Sequence, residues 1–320
     1  MEIPKKAAII ACLMTLAHYS DEEHPLSTSE IIKHMSDDFG LELCRQSVAE
    51  YLKIYEMLGI EIGEIKRKYY YDDRELQNEE VEVLCHSIMA NNTIPLSYSK
   101  ELINKLKKTQ GPYFAKNKNL DFNIFNIDKR NNKEIYMNIA TISKAIDEGR
   151  KISFDYYHYD HDKRSVKSRE ERYKVIPCRT VSVQSRFYLV TYSEKYKDYV
   201  HYRIDKMKDV RIEEKMTTIY KIDPYQYTRH RLYMQAGEIK DYTLEVKSNI
   251  IDELIDQFGI DINIEKKEED KYIAKVKTTE QAMIYFALQF ITYLKVIRPI
   301  EMKEKIKGIL RDASRKYEEI

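Results

Sequence analysis

The chain has 320 residues, 43% of them hydrophobic and 33% charged, with 54 Lys and Arg against 53 Asp and Glu. That length suits two or three domains with separate cores, and the near-neutral balance excludes a uniformly polycationic or polyanionic protein. Cys12, Cys44, Cys85 and Cys178 stand too far apart for metal or redox spacing, and no apolar run reaches the roughly 18 residues of a membrane span, so we expect a cytoplasmic protein with reduced thiols and no membrane partner.

Ile9, Leu13 and Leu16 at helical spacing predict a first amphipathic helix within residues 4–19. Ser27-Thr28-Ser29-Glu30 is a Ser-x-x-Glu capping box ahead of Ile31, Ile32 and Met35, so a second helix starts near Thr28 and stops at the Phe39-Gly40-Leu41 turn. A third helix is predicted from Arg45 to Leu58, with Val48, Leu52, Tyr55 and Leu58 on its inner face and Gly59 at its C-terminal end. Ile60 to Tyr71 then alternates as a short hairpin with a basic tip.

Helix, helix, turn, helix, hairpin is the order of a winged helix-turn-helix. In that geometry the third helix enters the major groove, which makes Arg45, Gln46, Ser47 and Lys53 candidates for contacts there, and Lys66, Arg67 and Lys68 in the wing candidates for phosphate. Residues 1–76 nevertheless carry nine Lys and Arg against fifteen Asp and Glu. Since phosphate neutralisation dominates DNA affinity, the basic surface must be local, and a dimer would present it twice.

Two more helices are expected between Asn78 and Lys108, one capped by Asn78 and the other starting after Ser97 or Ser99. Gly111 to Lys133 is rich in Asn and Lys and reads as a linker pinned by Phe122 and Phe125. Ile135, Ile139, Ile142 and Ile146 predict a helix ending at Gly149. Strands follow at Lys151–Tyr157, Val175–Arg179, Arg186–Tyr192 and His201–Asp205, with a charged loop from His158 to Arg172. Alternation in Arg186–Tyr192 puts Phe187, Leu189 and Thr191 on one face and Tyr188, Val190 and Tyr192 on the other, one of which must be core. Between Arg150 and Arg211 sixteen Lys and Arg stand against nine Asp and Glu, whereas the whole chain is only +1, so an anionic partner is expected here. His158, Asp160, His161 and Asp162 lack a helical His pair or a Cys partner, and no metal site is expected.

After Tyr220 the predicted order is strand (Tyr242–Lys247), helix (Ile250–Phe258), strands (Ile260–Glu265 and Tyr272–Lys277), helix (Glu280–Phe290) and strand (Tyr293–Ile297), with a terminal helix from Pro299. That is the ferredoxin-like order, so the fold class is α+β. The sequence holds eight glycines and no phosphate-binding glycine loop, HExxH or nucleophile elbow, so neither an enzyme nor a cofactor is expected.

Taken together, the chain resembles the WYL-domain transcriptional regulators of bacteria over nearly its whole length. The resemblance rests on Asp21–Leu26, Ile139–Ile146, Lys151–Tyr157 and Val175–Arg211, with Phe187-Tyr188-Leu189 at the Trp-Tyr-Leu signature, Arg203-Ile204-Asp205 at an Arg-x-Asp strand end, and Leu294–Pro299 as the last strand and turn. It implies a winged helix-turn-helix (1–76), a helical connector and linker (77–134), a central Sm-like bent antiparallel sheet that senses a ligand (135–220) and a ferredoxin-like WCX-type extension (221–320). It further implies a homodimer on a double-stranded DNA operator and an anionic effector, a nucleic-acid fragment or nucleotide, held by Arg179, Arg186, Tyr188, His201 and Arg203. The chemistry agrees, because Arg offers phosphate a planar fork and Tyr can stack on a base. The sequence departs from the family at Ile176-Pro177-Cys178, where Ser-Pro-Tyr is usual, and at Cys44, where Asp or Ser usually caps the recognition helix. Plainer roles are core packing for Phe187 and Leu189, contact of Tyr188 with the preceding helix, and pairing of Asp205 with Arg203 or Lys206. The acidic first domain also fits an accessory protein of a defence system that binds single-stranded RNA or DNA without reading an operator.

Overall fold

The computed structural model describes residues 4, 7–115 and 132–318, in two compact units, Met1–Asn132 and Lys133–Ile320. In the first unit, α1 (Ala8–Tyr19), α2 (Thr28–Phe39) and α3 (Arg45–Met57) pack around Leu16, Ile31, Met35, Val48 and Tyr55. The capping box works as expected: the Ser27 hydroxyl accepts from the Glu30 N–H, the Glu30 carboxylate accepts from the Ser27 N–H, and Gly40 at φ 63° ends α2. Leu58, expected inside, is exposed, because α3 stops at Met57 and Gly59 at φ 75° turns the chain off the apolar stripe.

The wing contains β1 (Leu26–Ser27), β2 (Ile62–Ile65) and β3 (Lys68–Tyr71) in the order β1-β3-β2. Strand β1 is only two residues long and has no strand signature of its own. Gly63 lets the cross-strand Tyr70 ring lie over it, its Cζ 2.1 Å from where a Cβ would stand, so a larger residue would displace that ring. Helix α4 (Asn78–Ala90) is capped one residue earlier than expected, the Gln77 N–H donating to Glu80 at 2.8 Å. Helix α5 (Leu96–Lys107) starts ahead of Ser97 and Ser99 because Pro95 already fixes φ at −54°. The four-residue α6 (Pro112–Ala115) follows, and the linker reading with Phe122 and Phe125 lies outside the described residues.

In the second unit, α7 (Ile135–Asp147) covers a bent antiparallel sheet made of β4 (Arg150–Tyr159), β5 (Ser165–Lys167), β6 (Tyr173–Val183), β7 (Arg186–Ser193), β8 (Asp198–Arg203) and β9 (Met207–Lys215). The order is β5-β4-β6-β7-β8, with β9 also on β4, so β4 bends to serve three partners. Two elements correct the sequence reading. The expected loop from His158 to Arg172 contains β5, and the expected strand His201–Asp205 stops at Arg203, where Ile204–Lys206 forms a 3-10 turn into β9. Strand β9 escapes an apolar pattern because only Met207 in it is buried; it is held by backbone pairing and by the Asn138 amide, which donates to the Met207 carbonyl at 3.0 Å.

Beyond it come α8 (Pro224–Arg229), a 3-10 turn at Leu232–Met234, β10 (Ile239–Val246), α9 (Ile251–Phe258), β11 (Asn263–Glu268), β12 (Lys271–Thr279), α10 (Glu280–Gln289), β13 (Leu294–Arg298) and α11 (Ile300–Glu318). The sheet order β11-β12-β10-β13, antiparallel throughout, is ferredoxin-like, and its core gathers Tyr242, Leu244, Leu254, Phe258 and Phe286. Strand β11 starts at Asn263 rather than Ile260, since Gly259 at φ 92° ends α9 and leaves Ile260 exposed. Among the described residues no helix is long and apolar enough to cross a membrane.

Candidate functional site

Two surfaces carry the residues singled out above. On α3, Arg45, Gln46 and Lys53 are exposed, and Ser47 is half-buried with its hydroxyl 3.2 Å from the Cys44 thiol. Arg45 and Lys53 are eight residues apart, so they share one ridge of the helix. The Arg45 guanidinium donates to the Ser29 hydroxyl at 3.5 Å, which ties the start of α3 to the first turn of α2. No side chain caps α3: the Cys44 thiol turns to Ser47, whose hydroxyl and N–H draw it below its ordinary pKa.

At the wing tip Ile65 pairs with Lys68, leaving Lys66 and Arg67 as the two turn residues, at φ 53° and 64°. A two-residue turn with both positions left-handed normally takes Asn-Gly. A side chain held there costs about 1–3 kcal/mol. Lys66, Arg67 and Lys68 are all exposed. Part of the acid of this unit gathers elsewhere: Asp21, Glu22, Glu23, Asp72, Glu79 and Glu82 line a cavity of about 720 Å³ to which none of the basic candidates contributes.

The second surface is one face of the β6-β7-β8 layer. Cross-strand neighbours point the same way, and the register pairs Arg179 with Val190, Val190 with His201, Val181 with Tyr188 and Tyr188 with Arg203. Arg186 lies two residues before Tyr188, so Arg179, Arg186, Tyr188, His201 and Arg203 all share this face. Tyr188, His201 and Arg203 are adjacent, with the Tyr188 and His201 rings 5.8 Å apart, while Arg179 lies past Val190 from His201 and Arg186 at the turn end of the hairpin. Much of the local positive charge is spent internally: Lys167 on Asp155 (3.0 Å), Arg172 on Asp209 (2.8 Å) and Arg203 on the buried Asp205 (2.8 Å). Among the described residues, Arg179 and Arg186 have no ion-pair partner.

Both faces of β7 are covered, contrary to the expectation of a single core face: Tyr188, Leu189, Val190 and Thr191 are all buried, whereas Phe187 is only half-buried. On the basic face the cover is the segment of residues 222–234. Ile222, Tyr227 and Met234 pack on Val181, Val183, Tyr188, Val190 and Tyr199, so Tyr188 meets this segment. His201 is gripped at both ring nitrogens. The Met234 carbonyl can only accept, so Nε2 carries the proton and donates to it, and Nδ1 accepts from the Tyr227 hydroxyl at 2.9 Å. Burial, with the nearby Arg231, lowers the His201 pKa, and burial lifts Tyr227 to about 12. The Arg231 guanidinium lies 4.1 Å over the Tyr227 ring, and Tyr233 and Met234 are held at φ 56° and 50°. Cys178 is buried at the β6 bulge, its thiol raised to about 11. Asp223-Pro224 signals a helix start, but nothing in the sequence marks where that helix docks, which is why Tyr227, Arg231 and Met234 were missed. Among the described residues no group of His, Cys, Asp and Glu is arranged to hold a metal ion.

Residues 137–212 match the family model described as WYL domain. Solved structures similar to the chain include the following two. Proteasome accessory factor B/C (PafBC) of Arthrobacter aurescens is 15% identical with a TM-score of 0.29, the match covering 99% of this chain and 49% of that one. A CRISPR Cas-related protein is 16% identical with a TM-score of 0.40, the match covering 98% of this chain and 84% of that one. The chain thus spans about half the length of the PafBC chain. No curated protein matches it.

Proposed function

From the WYL domain at residues 137–212, we propose that this protein is a ligand-responsive regulator of transcription, a homodimer whose winged helices bind a DNA operator and whose WYL face binds a nucleic-acid fragment or nucleotide. The observation that carries the DNA-binding half is the wing tip. Lys66 and Arg67 occupy left-handed positions that a Gly or Asn would fill at less cost, and strain retained at exposed cations is accounted for by a contact those cations make. Arg45, Gln46, Ser47 and Lys53 then contact the groove, and Lys66, Arg67 and Lys68 the phosphates. Four of the fifteen acidic residues of 1–76, Asp21, Glu22, Glu23 and Asp72, line a cleft to which none of these cations contributes. An effector that binds the WYL face more tightly in one DNA-binding state than in the other shifts the balance between them.

Arg179 and Arg186 give the clean test. Truncating Arg203 would remove a bidentate partner of the buried Asp205 and disturb the turn after β8, whereas Arg179 and Arg186 have no ion-pair partner among the described residues. Arg179→Gln with Arg186→Gln keeps operator binding in a gel-shift assay and weakens the effector response at least about 10-fold, one charge-assisted contact being worth about 1.5–3 kcal/mol. An unchanged response removes both residues from the effector site. The single-strand-binding accessory role remains the second reading, favoured by the acidic first unit.

A further inference from the structure

We infer that Tyr227 is a built-in stand-in for a nucleobase, occupying a pocket on the WYL face that a base-bearing anionic effector enters by displacing the segment 222–234. This rests on the proposed effector reading and adds where the base goes and what leaves. The pocket is built by the sheet alone: Val181, Tyr188 and Val190 make its apolar floor, and Tyr199 and His201 stand along the strand that pairs with β7. Into it the segment places one flat aromatic ring. Tyr227 meets the Tyr199 and His201 rings edge-on at 6.1 Å each, carries the Arg231 guanidinium on its face at 4.1 Å, and donates its hydroxyl to His201 at 2.9 Å. A flat ring with a guanidinium on its face and a histidine nitrogen hydrogen-bonded at its edge receives what a protein gives an unstacked base.

Two features favour exchange over permanent burial. First, the segment is held under strain, with consecutive non-glycine residues Tyr233 and Met234 at left-handed φ, so undocking relieves a cost. Second, it lays Arg231 over Tyr227 on a face that already bears Arg179 and Arg186, neither of which has an ion-pair partner among the described residues. The Arg231 Nε is buried without a hydrogen-bond partner, and Arg231 has no ion-pair partner among the described residues. An anion arriving with its base compensates cations that the docked segment only crowds. The apparent affinity of such a site is reduced by the fraction of time the pocket is open, so removing the occupant raises it by the inverse of that fraction.

The test uses the full chain, a fluorescein-labelled single-stranded DNA nonamer of mixed sequence as probe, and unlabelled 5′-mononucleotides as competitors. Tyr227→Ala should bind the probe about 10-fold or more tightly than the parent protein, and Tyr227→Phe, which keeps the ring and loses only the hydroxyl, should gain far less. In the unaltered protein, adding the unlabelled nonamer should speed tryptic cleavage after Arg229 and Arg231, a readout independent of whether either variant folds. Competition by mononucleotides assigns the pocket to a single nucleotide, and competition by strands alone assigns it to a nucleic-acid end. Binding by the parent protein that neither Tyr227→Ala improves nor exposes the segment to trypsin overturns the stand-in and leaves the effector reading intact. Absence of binding by parent and variants alike overturns both.

Discussion

At the scale of single residues, chemistry was easier to read than occupancy. The five effector candidates share one face as strand alternation requires, yet Arg203 is spent on Asp205 and His201 on Tyr227 and Met234. Alternation gives direction, whereas partners 26 and 33 residues further along the chain leave no local trace. Pairing of Asp205 with Arg203 was visible in advance because the two are neighbours on a strand end. The left-handed Lys66-Arg67 turn was not, since nothing but the tight spacing between two strands demands it. Its strain makes a sharp prediction. Lys66→Asn with Arg67→Gly should raise thermal stability, relieving about 1 kcal/mol or more, while weakening duplex DNA binding and lowering the salt dependence of that binding by about two phosphate contacts. Melting and salt-titrated binding measure the two arms, and a stabilised variant with unaltered DNA affinity would remove the wing tip from the interface.

At the scale of elements, those with a strong period or a cap were legible: α2 from its capping box, α7 from its isoleucines, the β6-β7 hairpin from its alternation. Illegible were β1, β5 and β9, which are short or charged and owe their place to backbone pairing with a stronger neighbour. The segment 222–234 belongs with them, and its docking carries a pH dependence. His201 is half-buried and neutral, facing the Tyr227 hydroxyl, the Met234 carbonyl and the cation of Arg231. Its pKa is lowered from 6.5, so the undocked state binds the extra proton more readily; docking is fully favoured above about 6.5 and weakens as pH falls toward the lowered value. Tyr227, at about 12, stays protonated throughout. Hydrogen exchange in residues 222–234 should therefore accelerate, after correction for intrinsic rates, between pH 7.5 and 5.5. His201→Gln should flatten that profile, and an equal pH response in the variant would place the titrating group elsewhere.

At the scale of the whole molecule, the order of elements in sequence foretold an α+β chain with a winged helix, a bent WYL sheet and a ferredoxin-like sheet, because each is a local succession with its own period. What one chain presents is a basic wing with a left-handed tip in one unit and a sheet face covered by its own Tyr227 in the other, and the proposed function links them through the homodimer. That link is tested most directly by selecting bound duplexes from a random library with the intact protein, with and without the single-stranded nonamer. The account predicts enrichment of a two-fold symmetric sequence whose recovery changes at least several-fold when the nonamer is added. Recovery of no preferred duplex under either condition would contradict it.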